Sequence, residues 1–176
     1  MGLLAELDGA DKKGLFRTND NYVMYSTGIL PLDYANGFWQ EIITVDGEKK
    51  LIPAVGVMGG TFTGVIGATG GGKTTFADQM GFNMIKNFGD GILFHIDAEK
   101  TSNKQRILQI TGASHNDIRI RLIKDHTTID DVLEMVDDVC EAKESLGAAC
   151  MYEAKTPGLD GKKFKVYPPT VFIIDS

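Results

Sequence analysis

Residues 67–74 read Gly-Ala-Thr-Gly-Gly-Gly-Lys-Thr, and no other stretch restricts the fold of this chain so tightly. Gly67, Gly70, Gly71 and Gly72 lack a Cβ, so the backbone can turn its N–H groups inward around one anion. The spacing G-x-x-x-x-G-K-[ST] is met at every fixed position. Before it, residues 61–66 (Thr-Phe-Thr-Gly-Val-Ile) form a short β-rich run that predicts a strand. After it, Phe76, Met80, Met84 and Phe88 recur every four residues, which predicts a helix with one apolar stripe. Lys86 falls in its last turn and Gly89 stops it. Strand, glycine loop and helix in that order aim the positive end of the helix at the same anion. The chemistry assigns the parts. Gly67, Ala68, Thr69, Gly70, Gly71 and Gly72 surround phosphate, Lys73 reaches the β- and γ-phosphates, and the Thr74 hydroxyl can ligate Mg²⁺.

The rest of the chain alternates. Residues 92–96 are continuous and apolar, as in a parallel strand covered on both faces. Ser102 and Gln105 have capping-box spacing, and Gly112 ends the short helix that follows. Residues 118–123 read as a strand. Thr128 and Asp131 open a further helix, with Ile129, Val132, Leu133, Val136, Val139 and Cys140 at helical spacing. Residues 171–174 are the last strand. This rhythm predicts an α/β fold with a mostly parallel, twisted sheet flanked by helices. Two stretches interrupt it and read as inserted β-hairpins, at about 40–58 around Asp46-Gly47 and at about 149–167. Residues 1–25 are polar and mixed, an arm or a short helix, and residues 26–176 form the core domain.

Composition narrows the classes of function. At 176 residues one domain is expected, and the net charge of -6 gives no general affinity for nucleic acid, so any basic groove must be local. The stretch Lys162–Tyr167 interleaves cations with aromatics, but reads better as the exposed edge of a hairpin. Cys140 and Cys150 have no metal-type spacing with each other or with the three histidines, and read as reduced thiols. The N-terminus lacks the apolar core of a signal peptide. Met1-Gly2 opens like a myristoylation site, but Glu6 stands where that motif needs Ser or Thr. No run reaches transmembrane length, and a cytoplasmic protein is expected.

A phosphate loop binds nucleotide; hydrolysis also needs an acid near Mg²⁺ and a group that orients water. In open α/β sheets such groups sit at the carboxyl ends of strands. Two strands end in acid. Asp175 follows four apolar residues and has the form of an acid that holds Mg²⁺ through water, with Ser176 beside it. Asp97 and Glu99 follow the strand at 92–96. Glu99 lies just past its end, where it can orient or deprotonate water. Asp97 reads equally well as a loop or cap carboxylate. His95 lies inside a strand pattern and reads as a satisfied core histidine.

Taken together these residues resemble the RecA-like recombinase family, in its bacteriophage branch. Ser26, Thr27, Gly28, Leu32, Asp33 and Gly37 look like the family's segment before the loop strand. Gly67 to Gln79 is similar to its phosphate loop and helix, with a second threonine, Thr75, next to the nucleotide. The Phe94–Glu99 stretch resembles the strand whose glutamate polarises water, which falls on Glu99. Glu99–Ile107 is similar to a segment whose arginine stacks on adenine, which would be Arg106; a planar guanidinium suits that role. Phe172–Ser176 looks like the family's Walker B strand. The resemblance covers about residues 25–176 and departs at the two hairpins; the family's N-terminal oligomerisation element is not evident in residues 1–25.

The resemblance implies a P-loop NTPase of RecA-like fold that binds ATP and Mg²⁺. It implies a DNA-dependent ATPase of homologous recombination and repair, acting on single-stranded DNA, self-associating into a filament or ring, and working in the cytoplasm of a host cell. In the family the chain continues past this serine into the DNA-binding loops and further strands, one of which lies between the loop strand and the Walker B strand. The resemblance therefore implies that these residues are the N-terminal part of a longer protein, with an incomplete sheet and exposed apolar surface. Two alternatives stay open: a replicative helicase of the DnaB kind, and a non-catalytic nucleotide-binding fragment that works only with a complementary polypeptide.

Overall fold

The computed structural model describes residues 23–44, 46–124, 128–154, 157–158 and 160–175. The expected N-terminal arm, up to residue 22, and Ser176 lie outside the described residues. The chain is mixed α/β. Three strands, β5 (Ile92–Asp97), β6 (Ile120–Ile123) and β9 (Thr170–Asp175), form a parallel sheet in the order β6-β5-β9. The register pairs His95 with Ile173 and Asp97 with Asp175, so two acids meet side by side at the carboxyl end of the sheet. Among the described residues β9 has no partner on its other edge.

The other strands form short antiparallel pairs. β1 (Met24–Tyr25) pairs with β4 (Val57–Met58). β2 (Phe38–Ile43) pairs with β3 (Lys49–Ala54) across the Asp46-Gly47 turn, where Gly47 has φ 80°. β7 (Tyr152–Glu153) pairs with β8 (Lys165–Val166). The first hairpin is therefore tighter than residues 40–58, because Val57 and Met58 turn back onto β1. Helix α1 (Leu30–Ala35) precedes β2, and a 3-10 turn (Gly147–Cys150) leads toward β7.

Three longer helices accompany the parallel sheet: α2 (Lys73–Ile85), α3 (Lys104–Thr111) and α4 (Ile129–Leu146). The core lies between α2, α3 and one sheet face, where Phe82, Ile85, Leu93, Ile107, Leu108 and Ile120 are buried with Val171 and Ile173 against them. α2 sits close to β5 and β9 because Gly81 faces them. A Cβ there would come 2.9 Å from Leu93 Cδ1 and 3.2 Å from both Ile173 Cδ1 and Val171 Cγ1. On the other face the rings of Phe94 and Phe172 stack with centroids 5.0 Å apart.

Three expectations need correction. Residues 61–66 are not a strand; no strand among the described residues pairs with them, and Phe62 and Ile66 stand fully in solvent at 103% and 98% exposure. β propensity without a partner leaves backbone groups unpaired and side chains wet. The buried stripe of α2 is Asp78, Gly81, Phe82 and Ile85, while Phe76, Met80, Met84 and Phe88 are only half-buried. The cap of α3 is Asn103, whose side chain accepts from Gln105 N–H at 2.8 Å, rather than Ser102. α4 has the expected capping box at Thr128 and Asp131 but buries no residue fully, and Ile129 and Leu133 are 79% and 55% exposed.

Cys140 is exposed, Cys150 is buried, and both are free thiols. Lys165 and Val166 of the cation-rich stretch lie in β8. Among the described residues, no helix is long and apolar enough to cross a membrane.

Candidate functional site

The two ends of α2 are finished differently. At its C-terminus, Arg119 donates from Nη1 to the carbonyls of Lys86 at 3.2 Å and Phe88 at 3.1 Å. Asp117 holds that guanidinium at 2.8 Å, and the same pairing keeps the Asp117 carboxyl below the usual carboxylate range. A cation on the last carbonyls is the favourable partner for this end of a helix. The N-terminus has no such closure. Gly72 is the cap residue with φ 81°, no side chain among the described residues caps the helix, and no acid lies in the first turn. The N–H groups of Lys73, Thr74 and Thr75 precede the first intrahelical bond, which Phe76 makes to Gly72 O at 2.9 Å. They are left for an acceptor from outside.

The loop before this open end is shaped by its glycines. Gly70 has φ 75° and Gly72 φ 81°, conformations that other residues rarely adopt. Gly71 N–H bonds to Ala68 O at 3.0 Å, closing the turn. Lys73 folds back over the loop and donates from Nζ to the carbonyls of Gly67 and Ala68, each at 3.2 Å. The loop carbonyls stand in here as acceptors for a cationic side chain.

Thr74 and Asp175 meet. Thr74 Oγ1 donates to Asp175 Oδ2 at 2.9 Å, across 101 positions of sequence. The parallel register of β9 on β5 carries Asp175 to this point. Both residues line a cavity of about 110 Å³, together with Thr75, Asp78, Arg106 and Ile107. Arg106 comes from α3, so three elements converge here. Of the residues expected at a nucleotide site, the cavity brings together Thr74, Thr75, Arg106 and Asp175. Gly67, Ala68, Thr69, Gly70, Gly71, Gly72 and Lys73 form the loop leading into α2. Glu99 is not brought in: it is exposed, in the turn after β5, and is not among the residues lining the cavity.

The acids around the cavity have separate partners. Asp97 is fully buried and accepts from the N–H groups of Thr101 at 3.2 Å and Ser102 at 2.7 Å, fixing the turn before α3. Its role in this structure is that of a loop carboxylate. Asp78 lies one helical turn beyond Thr74 and is buried. His95 Nδ1 donates to Asp78 Oδ1 at 2.6 Å, while His95 Nε2 is buried with no partner among the described residues. Burial alone would push the His95 imidazole down. The hydrogen bond to Asp78 and the charges of Asp78, Asp175 and Asp97 outweigh it and raise it above its ordinary value of 6.5.

The Ser26–Asp33 segment is a structural knot. Asp33 accepts from Ser26 Oγ at 2.6 Å, from Thr27 N–H at 2.7 Å and from the Thr27 hydroxyl. Burial works to raise the Asp33 carboxyl, but these bonds together hold it below its ordinary value of 3.8. Asn83 of α2 donates to Thr27 O at 2.8 Å and ties the knot to the same helix.

Sequence reasoning missed Asp78 and Arg119. The available signal for Asp78 was that it is the single acid in the helix, four residues after Thr74. Arg119 lies two residues from its partner Asp117, but its capping role carried no signal, since the carbonyls it binds lie in a distant turn.

The donor set around Thr74 suits a hard cation. Among the described residues no group of three or more His, Cys, Asp or Glu is arranged to hold a metal by itself. A hydroxyl and one carboxylate are what Mg²⁺ takes from a protein when phosphates and water complete its shell. Comparison with protein families, curated proteins and solved structures gives no match.

Proposed function

We propose that this chain is the nucleotide-binding core of a P-loop NTPase of RecA-like fold, an ATP hydrolase of the recombinase kind. The observation that carries this reading is the Thr74–Asp175 hydrogen bond at the uncapped N-terminus of α2. It joins the hydroxyl after the loop lysine to the acid at the end of a parallel strand, the pairing that positions Mg²⁺ beside a β,γ-phosphate. In this reading residues 67–72 and the first turn of α2 bind the phosphates. Lys73 exchanges its two loop carbonyls for phosphate oxygens. Thr74 and Asp175 hold the cation, and the planar guanidinium of Arg106 stacks on the base. Mg²⁺, when bound, neutralises charge on the phosphates. The acidic surface leaves single-stranded DNA, proposed as the partner, to be met by a local basic segment, and self-association is part of the same proposal.

One observation favours a second reading. Glu99, the only residue expected to orient water, stands outside the cavity. The chain would then bind nucleotide without turning it over, as a module that acts with another polypeptide.

The test is a titration of a fluorescent ATP analogue, followed by phosphate release with and without single-stranded DNA. The recombinase reading expects Mg²⁺-dependent binding that Lys73→Ala weakens at least tenfold, and DNA-stimulated turnover lost on Glu99→Gln. Binding without turnover selects the module. Equal binding by wild type and Lys73→Ala rejects both.

A further inference from the structure

Asp78 occupies a position where an apolar residue would be the ordinary choice. It shares its stripe with Phe82 and Ile85, which pack into the core. It is 1% exposed, and its partner His95 is wholly buried. Exchanging a buried ion pair for apolar residues of similar size is often neutral or stabilising. Stability is therefore a poor reason for this pair. Its position supplies another. Asp78 lies i+4 from Thr74, so both project from one face of α2, and both line the cavity with Asp175 and Arg106. The other acids near His95 are committed: Asp97 to two backbone N–H groups and Asp175 to the Thr74 hydroxyl. Asp78 alone is fixed from behind, by His95 Nδ1, while facing the cavity.

We propose that Asp78, oriented by His95, is a positioning residue of the cation site, whose carboxylate accepts hydrogen bonds from the hydration shell of the divalent cation held at Thr74 and Asp175. This rests on the nucleotide-binding reading above. Mg²⁺ keeps several of its waters in such sites, and groups behind the ligands set affinity and orientation. Asp78, backed by His95, adds a second carboxylate beside Asp175 to a cavity in which Arg106 is the positive residue among the described lining. Without the cation, carboxylate and phosphate oxygens face each other as acceptors; with it, the waters of the cation supply the donors between them. The pair therefore makes nucleotide binding depend on the metal.

The experiment is an Mg²⁺ titration of fluorescent ADP binding to the full chain, with parallel measurements in excess chelator. Asp78→Asn is expected to raise the half-saturating Mg²⁺ concentration about 10- to 100-fold, with metal-free affinity unchanged or tighter. His95→Asn keeps a donor near the Nδ1 position and is expected to stay within about threefold of wild type. The double variant Asp78→Leu, His95→Phe guards against misfolding. It should melt cooperatively and show the same Mg²⁺ shift as Asp78→Asn. If wild type binds with Mg²⁺ but Asp78→Asn, or the folded double variant, titrates like wild type, the pair is packing alone and the proposal fails while the nucleotide reading stands. If wild type itself binds no better than Lys73→Ala, the reading fails and the proposal with it.

Discussion

Helices α2 and α4 break opposite rules. α4 has 18 residues, a reciprocal capping box at Thr128 and Asp131 and an apolar stripe at helical spacing, yet it buries no residue fully. α2 has 13 residues, begins on an uncapped left-handed glycine, and carries a glycine and an acid on its buried face. It nevertheless supplies Phe82 and Ile85 to the core against the parallel sheet. α4 holds itself together locally; α2 is held by what surrounds it. Local rules are most often broken where a structure is shaped for a ligand.

The largest difference should appear on truncating side chains. Ile85 of α2 is fully buried, so Ile85→Ala is expected to cost about 2–5 kcal/mol. The equivalent change Leu133→Ala on α4 should stay within about 0.5 kcal/mol. Chemical denaturation of both variants measures this. Equal losses would mean that α4 is anchored as firmly as α2, and the contrast would disappear.

The same contrast explains what was legible in the sequence. The cap at Thr128 and Asp131 and the stop at Gly112 were readable because each depends on residues within one turn. The apolar runs ending in Asp97 and Asp175 were readable because a continuous apolar run marks a parallel strand, although Ile174 of β9 is 58% exposed. The buried face of α2 was not. It has apolar residues on several sides, and the face turned inward is the one where Gly81 admits close approach to Leu93, Val171 and Ile173. Asp78 could not be placed because its reason, His95, lies 17 residues away. Residues 61–66 misled because strand formation depends on a neighbour as much as on the sequence itself. At the candidate site, Thr74 and Asp175 were legible as a pair, whereas the exposure of Glu99 depends on the turn after β5.

A smaller effect sharpens the close approach at Gly81. Gly81→Val forces Leu93, Ile173 and Val171 aside and should cost about 1–3 kcal/mol. Ala142→Val on the exposed side of α4 should cost about 0.5 kcal/mol or less, from helix propensity. Thermal melts of the two separate packing from propensity; a tolerated Gly81→Val would show that α2 has room to lift from the sheet.

Capping reverses the order of the two helices. Thr128→Ala removes the side-chain acceptor for Asp131 N–H and should cost about 1 kcal/mol. α2 has no cap to lose. Its N-terminus should instead gain from an anion, so inorganic phosphate should raise protection of the Thr74 and Thr75 amides from hydrogen exchange and leave α4 unchanged. Equal protection of both helices by phosphate would indicate a general salt effect.

The smallest effect is the most specific, because pH should act on the two helices in opposite directions. The folded state raises the pKa of His95, where Asp78, Asp97 and Asp175 supply the surrounding negative charge. A raised pKa means that the protonated form is favoured on folding. That contribution to α2 is complete below the ordinary value of 6.5 and is lost as pH rises through the higher folded value. Asp131 has the reverse shift, lowered by the Thr128 hydroxyl and N–H. Its contribution to α4 is complete above the ordinary value of 3.8 and is lost as pH falls through the lower folded value. Hydrogen exchange, corrected for the intrinsic rate at each pH, should therefore show α2 loosening on the alkaline side while α4 stays constant. On the acid side α4 should fray first, from its N-terminus. His95→Asn should flatten the alkaline limb and leave the acid limb intact. An alkaline limb that persists in His95→Asn would assign it to another group, and α2 would then owe its position to packing at Gly81 and Ile85 without help from the charge behind Asp78.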